Sequence, residues 1–270
     1  MDKKEVVCSI DKAFLVPCGV MLHSLFEHHP RTSFLLHILH DLDPEEGELL
    51  FFLSKIEKAG HSYVLYKIDN SLLADMPLSN HASLANYYRL LIPDLLPLST
   101  HRVLYLDSDM LIRGSMLELW DIELDGNFVA AVEQPHHDFS YLPLGTAARY
   151  FNSGVMSINL LAWRQADVTK KGLAFVRSNR EKIQYWDQDV FNYLFDGKWR
   201  SLDSRWNHVS EREAERATVL HFAGKHKPWN VHCRHPYKHL YFIQLRKYLG
   251  FWKYKGYLLR TKGIRSLLAY

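Results

Sequence analysis

Cysteine is scarce in this chain. Its 270 residues hold three, Cys8, Cys18 and Cys233, an odd number at spacings that make neither a disulfide framework nor a CxxC metal knuckle. Long apolar runs are missing too. The longest stretches without Asp, Glu, Lys or Arg are 14 residues, 13–26 and 150–163, short of the roughly 20 that cross a bilayer as a helix. Met1-Asp2-Lys3-Lys4-Glu5 runs straight into an apolar strand and lacks the layout of a signal peptide. These absences point to a soluble, cytoplasmic protein. No internal repeat, low-complexity segment or domain-parting linker is present. With 47% hydrophobic and 23% charged residues, the composition excludes a disordered or collagen-like chain.

Acidic residues stop at Glu215. Residues 221–270 hold 11 Lys and Arg, while residues 1–220 carry a net charge of −8. An acidic body with a basic end is not a generic solvated surface; it points to a tail that meets something anionic. Eleven aromatics share those last 50 residues, among them Tyr241, Tyr248, Trp252, Tyr254 and Tyr257. Basic plus aromatic fits a membrane surface or a nucleic acid. The alternative is a C-terminal helix packed on the body with its Lys and Arg stems reaching outward.

Apolar runs predict strands near 6–10, 34–39, 62–68 and 102–106. Helical spacing follows Pro17 over 17–29 and recurs over 83–96. Asp43-Pro44-Glu45-Glu46 reads as a helix start with Asp43 as N-cap, and Gly60 as its stop. Strands alternating with helices, apolar on both faces, indicate an α/β fold with a mostly parallel central sheet.

Asp107-Ser108-Asp109 follows the fourth strand without a gap. In open α/β sheets ligands bind beyond the carboxyl ends of strands. Two carboxylates at i and i+2 in extended chain point the same way, and a divalent cation between them removes their repulsion. The alternative is a pair of helix-capping aspartates.

Further blocks fit one pattern: Tyr88-Arg89-Leu90, Val103 to Asp109, Phe151-Asn152-Ser153-Gly154-Val155-Met156, Trp186-Asp187-Gln188-Asp189, and His221 to Trp229. In residues and order the sequence resembles the family-eight retaining glycosyltransferases, which include glycogenin and bacterial lipooligosaccharide galactosyltransferases. The resemblance covers roughly residues 5–235. It implies a GT-A type nucleotide-sugar-binding domain over 1–235. It also implies a basic, aromatic helical tail over 236–270 that holds the enzyme peripherally to the inner face of the plasma membrane. The implied donor is UDP-glucose or UDP-galactose, the acceptor a saccharide or glycolipid, and no nucleic acid is involved.

The same resemblance implies the residue roles. Asp107, Asp109 and His221 match the metal ligands, with Mn²⁺ favoured by the imidazole and Mg²⁺ as the alternative ion. Gly224 and Lys227 match positions that hold the diphosphate, and Arg89 one that contacts donor phosphate and sugar. Asp11 matches an aspartate that binds the uracil ring. The family usually continues with an acidic residue, Asn and Tyr; here Lys12-Ala13-Phe14 follows, so Phe14 keeps a ring to stack on uracil while Ala13 offers no polar side chain. Asn86 and Ser108 fall among the nucleotide-binding positions. Glu133, Asn152, Asp187 and Gln188 fall around the transferred sugar, with Asp187 on its hydroxyls and Gln188 near the anomeric carbon. His81 falls on the acceptor side. A same-face attack is the mechanism expected, with Asp187 as nucleophile the competing account.

Two rivals come from other classes. A nucleotidyltransferase also joins a nucleotide-binding sheet to carboxylates, but it wants a Gly-rich phosphate loop after the first strand, and residues 11–18 contain no glycine. The other is a non-catalytic protein on the same fold that binds UDP-sugar or a membrane surface.

Overall fold

The computed structural model describes residues 3–78, 83–145, 149–230 and 232–262. The strands are β1 Lys4–Ile10, β2 Phe34–His40, β3 Ser62–Lys67, β4 Arg102–Leu106, β5 Met110–Ile112, β6 Val129–Glu133, β7 Phe151–Asn159, β8 Trp199–Leu202 and β9 Val219–His221. The helices are α1 Leu15–His28, α2 Gly47–Lys58, α3 Ile92–Leu95, α4 Glu118–Asp121, α5 Leu160–Gln165, α6 Val168–Ser178, α7 Trp186–Leu194, α8 Lys238–Leu249 and α9 Phe251–Lys262. His81 lies outside the described residues.

Seven strands form the central sheet in the order β3-β2-β1-β4-β7-β6-β8. The pairs β1 with β2 and β4, β2 with β3, and β6 with β8 are parallel. Only β7 runs against its neighbours, β4 and β6. This makes an α/β, mostly parallel sheet, apolar on both faces. One core gathers α1 and α2 against Val6, Cys8, Leu36 and Leu104, the other gathers α6 and α7 against Val7, Leu39, Val103 and Tyr105. Alternate residues of one strand feed opposite cores, which is why these strands read as continuous apolar runs.

The reversal of β7 places the site. Its first residues, Asn152 to Gly154, lie at the same sheet edge as the carboxyl end of β4, because Leu106 pairs with Val155. The N–H of Asp107 donates to the Gly154 carbonyl at 2.8 Å. A second, two-stranded sheet joins β5 to β9 with Met110 opposite His221. That pairing brings a histidine from far along the chain beside Asp109.

Two expected elements differ. The second helix starts at Gly47 rather than at Pro44. The Asp43 side chain accepts the N–H of Glu45 at 3.0 Å, closing a turn of its own instead of capping a helix. Residues 84–91 form a 3₁₀ helix, with α3 only after it.

The basic end of the chain docks on the body. Tyr241, Phe242, Leu245 and Tyr248 of α8 are buried with Val20 and Leu220. Gln244 donates to Glu27 at 2.9 Å, and Lys247 pairs with Glu27 at 3.1 Å. Gly250, at φ +76°, a conformation that suits glycine, links α8 to α9. Tyr254, one of the aromatics expected at a membrane surface, is buried in this third core together with Leu258. Trp252 is 80% exposed and Phe251 45%. Among the described residues, no helix is long and apolar enough to cross a membrane.

Candidate active site

A cleft of about 860 Å³ opens at the carboxyl edge of the sheet. At its centre Asp107, Asp109 and His221 bring one ligand atom each within 4.8 Å of one another. Asp107 Oδ1 accepts the Tyr105 hydroxyl at 3.1 Å and pairs with Arg89 Nη2 at 2.8 Å. His221 Nε2 lies 3.3 Å from Asp109 Oδ1 and 3.7 Å from Asp107 Oδ2. Lys227 donates to Asp109 Oδ2 and, at 3.0 Å, to the Phe222 carbonyl. Burial pushes the Asp109 carboxyl up, but Lys227 and His221 outweigh it and hold the group well below the usual carboxylate range.

Two carboxylates and an imidazole converging on one point are a donor set for a divalent cation. Gly154 forms the floor of this cradle. A Cβ there would stand 2.6 Å from His221 Cε1 and 2.8 Å from Asp107 Oδ2, so a side chain at this position would crowd two of the three groups. The residues present therefore fit a bound metal.

One side of the cleft is built by the first turn of α7. Asp187 is buried, Arg89 Nη1 pairs with it at 3.2 Å, and the Ser153 hydroxyl donates to it at 2.8 Å. Burial raises this carboxyl and Arg89 draws it back, leaving it pushed up to about 7. Burial also disfavours the Arg89 charge, yet Asp107 and Asp187 hold the guanidinium protonated far beyond its ordinary range. Gln188 Oε1 accepts from Asn152 Nδ2 at 2.9 Å and from the Ser153 N–H at 3.2 Å. Its Nε2 donates to Tyr150 and Gln134 at 3.1 and 3.2 Å. Trp186, just before them, holds φ +45°, a strained conformation for an aromatic residue at the cleft wall.

Asp11, Phe14, Asn86 and Ser108 line the cleft with Gly224. Asp11 Oδ1 accepts the Phe14 N–H at 3.0 Å, and Ser108 donates to the Ser9 carbonyl at 3.0 Å. Phe14 meets Trp229 edge to face, with ring centroids 5.8 Å apart. Gly224 sits at φ +90°, a conformation that suits glycine and leaves its main chain open to a close ligand. Ala13 is also at the wall.

The model of glycosyl transferase family 8 matches residues 5–233. This chain belongs to glycosyltransferase family 8. A lipopolysaccharide 1,3-galactosyltransferase of Salmonella typhimurium is 30% identical over 267 residues, covering 91% of this chain and 78% of that protein. A lipopolysaccharide 1,2-glucosyltransferase of Escherichia coli is 31% identical over 260 residues, covering 85% and 75%. The crystal structure of galactosyltransferase LgtC with donor and acceptor sugar analogs superposes with a TM-score of 0.82 at 25% identity, over 94% of this chain and 100% of that one. This family 8 glycosyltransferase thus has the GT-A fold.

Of the residues expected in the site, Glu133 alone among those described stands off from the cleft. It closes β6 and pairs with Arg149 at 3.1 Å. Its neighbour Gln134 lines the wall and bonds Gln188. Side chains alternate along a strand, so one residue of register turns one inward and the other away. Sequence reasoning also passed over Asn207, which is buried between His221 and Asn152, and the role of Asp189. The Asp189 carboxylate accepts the N–H groups of Gln184 and Tyr185 at 2.7 and 2.8 Å and the Tyr141 and Tyr150 hydroxyls at 2.9 and 2.6 Å. It anchors the turn that presents Asp187 and Gln188. Its place in the block from Trp186 to Asp189 was the available signal.

Proposed function

We propose that this glycosyltransferase moves glucose or galactose from a UDP-sugar to a saccharide or glycolipid acceptor with retention of configuration, in surface polysaccharide or lipooligosaccharide synthesis. One observation carries this reading: Asp107, Asp109, His221 and Lys227 face the same cleft as Asp187 and Gln188. The names of the galactosyl- and glucosyltransferase relatives support the hexose and the acceptor class.

In this reading Asp107, Asp109 and His221 hold a divalent cation, Mn²⁺ ahead of Mg²⁺ because imidazole favours the softer ion. When bound, the ion supplies positive charge against the diphosphate that departs from the sugar. Lys227 adds a compact charge at the same end, and the Gly224 main chain admits a close phosphate oxygen. Asp11 and Phe14 hold the uracil, with Asn86 and Ser108 beside the nucleotide. Arg89 holds Asp187 against the sugar hydroxyls. Gln188 has its amide oxygen occupied by two N–H donors, so it orients the anomeric carbon and does not attack it. The acceptor oxygen then bonds to that carbon on the face from which the phosphate oxygen leaves, and the acceptor proton passes to the phosphate. His81 is assigned to the acceptor side.

We assign residues 1–235 to the catalytic unit and 236–270 to a basic, aromatic C-terminal appendage, of which 263–270 lie outside the described residues. Its exposed Phe251 and Trp252, with Lys253 and Lys255, support contact with an anionic membrane on the inner face of the plasma membrane.

Incubation with UDP-glucose, UDP-galactose and other UDP-sugars plus Mn²⁺ tests the reading. Free UDP, abolished by EDTA and restored by Mn²⁺, is expected with one hexose donor. Binding without UDP release points to a non-catalytic protein, and consumption of UTP with a sugar phosphate to a nucleotidyltransferase; either result overturns it.

A further inference from the structure

Asn207 is 2% exposed and follows the 3₁₀ turn Ser204–Trp206. The two ends of an amide side chain look alike, but their neighbours decide which is oxygen. The backbone N–H of Gly154 can only donate, and it meets Asn152 at 2.9 Å. That Asn152 atom is therefore Oδ1. Asn152 then offers Nδ2 to Gln188, and the backbone N–H of Ser153 independently requires an oxygen at that same Gln188 atom. Asn207 approaches Asn152 Oδ1 at 2.7 Å, so it does so with Nδ2. Its other end is an oxygen, 2.8 Å from His221 Nδ1. An oxygen acceptor there requires the hydrogen on Nδ1. Nε2, facing Asp107 and Asp109, is left as the nitrogen open to a cation.

We propose that Asn207 is a positioning residue that sets two things with one amide: the His221 tautomer in the cation site, and the orientation of Asn152 and through it Gln188 in the sugar site. This rests on reading Asp107, Asp109 and His221 as a cation site. The two tasks need opposite polarity. The oxygen accepts from His221, while the nitrogen donates to Asn152. Aspartate at the same position keeps the first and loses the second. Alanine loses both.

The test measures Mn²⁺ affinity of the full chain from the free-ion EPR signal, and separately UDP release from the donor at saturating Mn²⁺. Asn207→Ala is expected to weaken Mn²⁺ binding about 10- to 100-fold, the range for loss of a ligand's hydrogen-bond partner. Asn207→Asp is expected to keep Mn²⁺ affinity within about threefold of the unmutated chain while turnover falls about tenfold or more, because Asn152 now faces an oxygen. In the unmutated chain with Mg²⁺, long-range ¹⁵N–¹H spectra of His221 are expected to show a protonated Nδ1 and a bare Nε2. Three results overturn the proposal. One is Mn²⁺ affinity unmoved in Asn207→Ala while His221→Ala loses it. Another is equal loss of affinity in the Asp and Ala variants, both folded by circular dichroism. The third is a His221 with hydrogen on Nε2. If the unmutated chain and His221→Ala are alike in binding no Mn²⁺, the cation reading itself has failed, and the proposal falls with it by a separate signature.

Discussion

Gly154→Ala adds one methyl group beside His221, Asp107 and Asn152. The new Cβ would lie 2.6 Å from His221 Cε1, 2.8 Å from Asp107 Oδ2 and 2.9 Å from Asn152 Oδ1. Carbon atoms rest about 3.5–4.0 Å apart, so the imidazole has to retreat by roughly 1 Å. Three neighbours close in together, and none is the free end of a flexible chain. Asp107 is tied to Arg89 and Tyr105, and Asn152 to Gln188. Overpacking of this kind costs about 1–3 kcal/mol, which moves Tm by a few degrees in a chain this size. The functional loss is expected to be larger than the loss of stability. A misplacement of about 1 Å can cost a hundredfold in rate, and here it displaces two of the proposed cation ligands. The assay pairs urea unfolding with Mn²⁺ titration and UDP release. Gly47→Ala is the control: nothing lies within 4 Å of its new Cβ, so it should be neutral or stabilise by about 0.4–1 kcal/mol. A Gly154→Ala enzyme with unaltered stability, Mn²⁺ affinity and turnover would refute the reasoning.

Asp109→Asn should fold and yet lose Mn²⁺-dependent UDP release, since the residue sits at a strand end; full activity counts against the cation assignment. Gln188→Ala should cut turnover at least about tenfold with UDP affinity unchanged, because UDP lacks the sugar; a collapse of UDP binding in the folded variant, seen by calorimetry, would place residues 186–189 on the nucleotide instead. Arg164 spends its donors on the carbonyls of Pro93, Leu96, Pro97, Leu98 and Thr100, clamping the turn before β4. Arg164→Lys, a single ammonium in place of a planar fork, should cost about 2 kcal/mol by denaturant melt while turnover of the folded enzyme stays intact. Gly19→Ala drives a Cβ into the Tyr248 ring and should loosen α8 from α1 by about 1–3 kcal/mol; pairing it with Tyr248→Leu should recover part of that loss, and strictly additive losses would show that the two residues do not meet.

Local signals carried much of this molecule. The apolar run from Arg102 to Leu106 is β4 residue for residue, and Gly60 ends α2 where expected, at φ +81°. Both depend on a few adjacent residues, since a strand buried on both faces reads as a continuous apolar run and a positive-φ stop suits glycine. The order of the five sequence blocks carried the family and the fold, and with them a candidate set of which the described residues other than Glu133 line one cleft. Tertiary structure decided the rest, because it rests on pairings between distant segments. Nothing near Phe151 to Asn159 states that this strand runs against β4 and β6, nor does anything near His221 state that Met110 is its partner. Asp43 could cap a helix or close a turn, and the outcome is the turn. The basic tail carried its charge openly, whereas the apolar face that docks α8 on α1 became visible only when Gly19 met Tyr248. The polarity of the Asn207 amide has no local determinant either. It is imposed by two backbone N–H groups of β7 acting through Asn152 and Gln188, because a buried amide has to turn its oxygen toward the only donors it can reach.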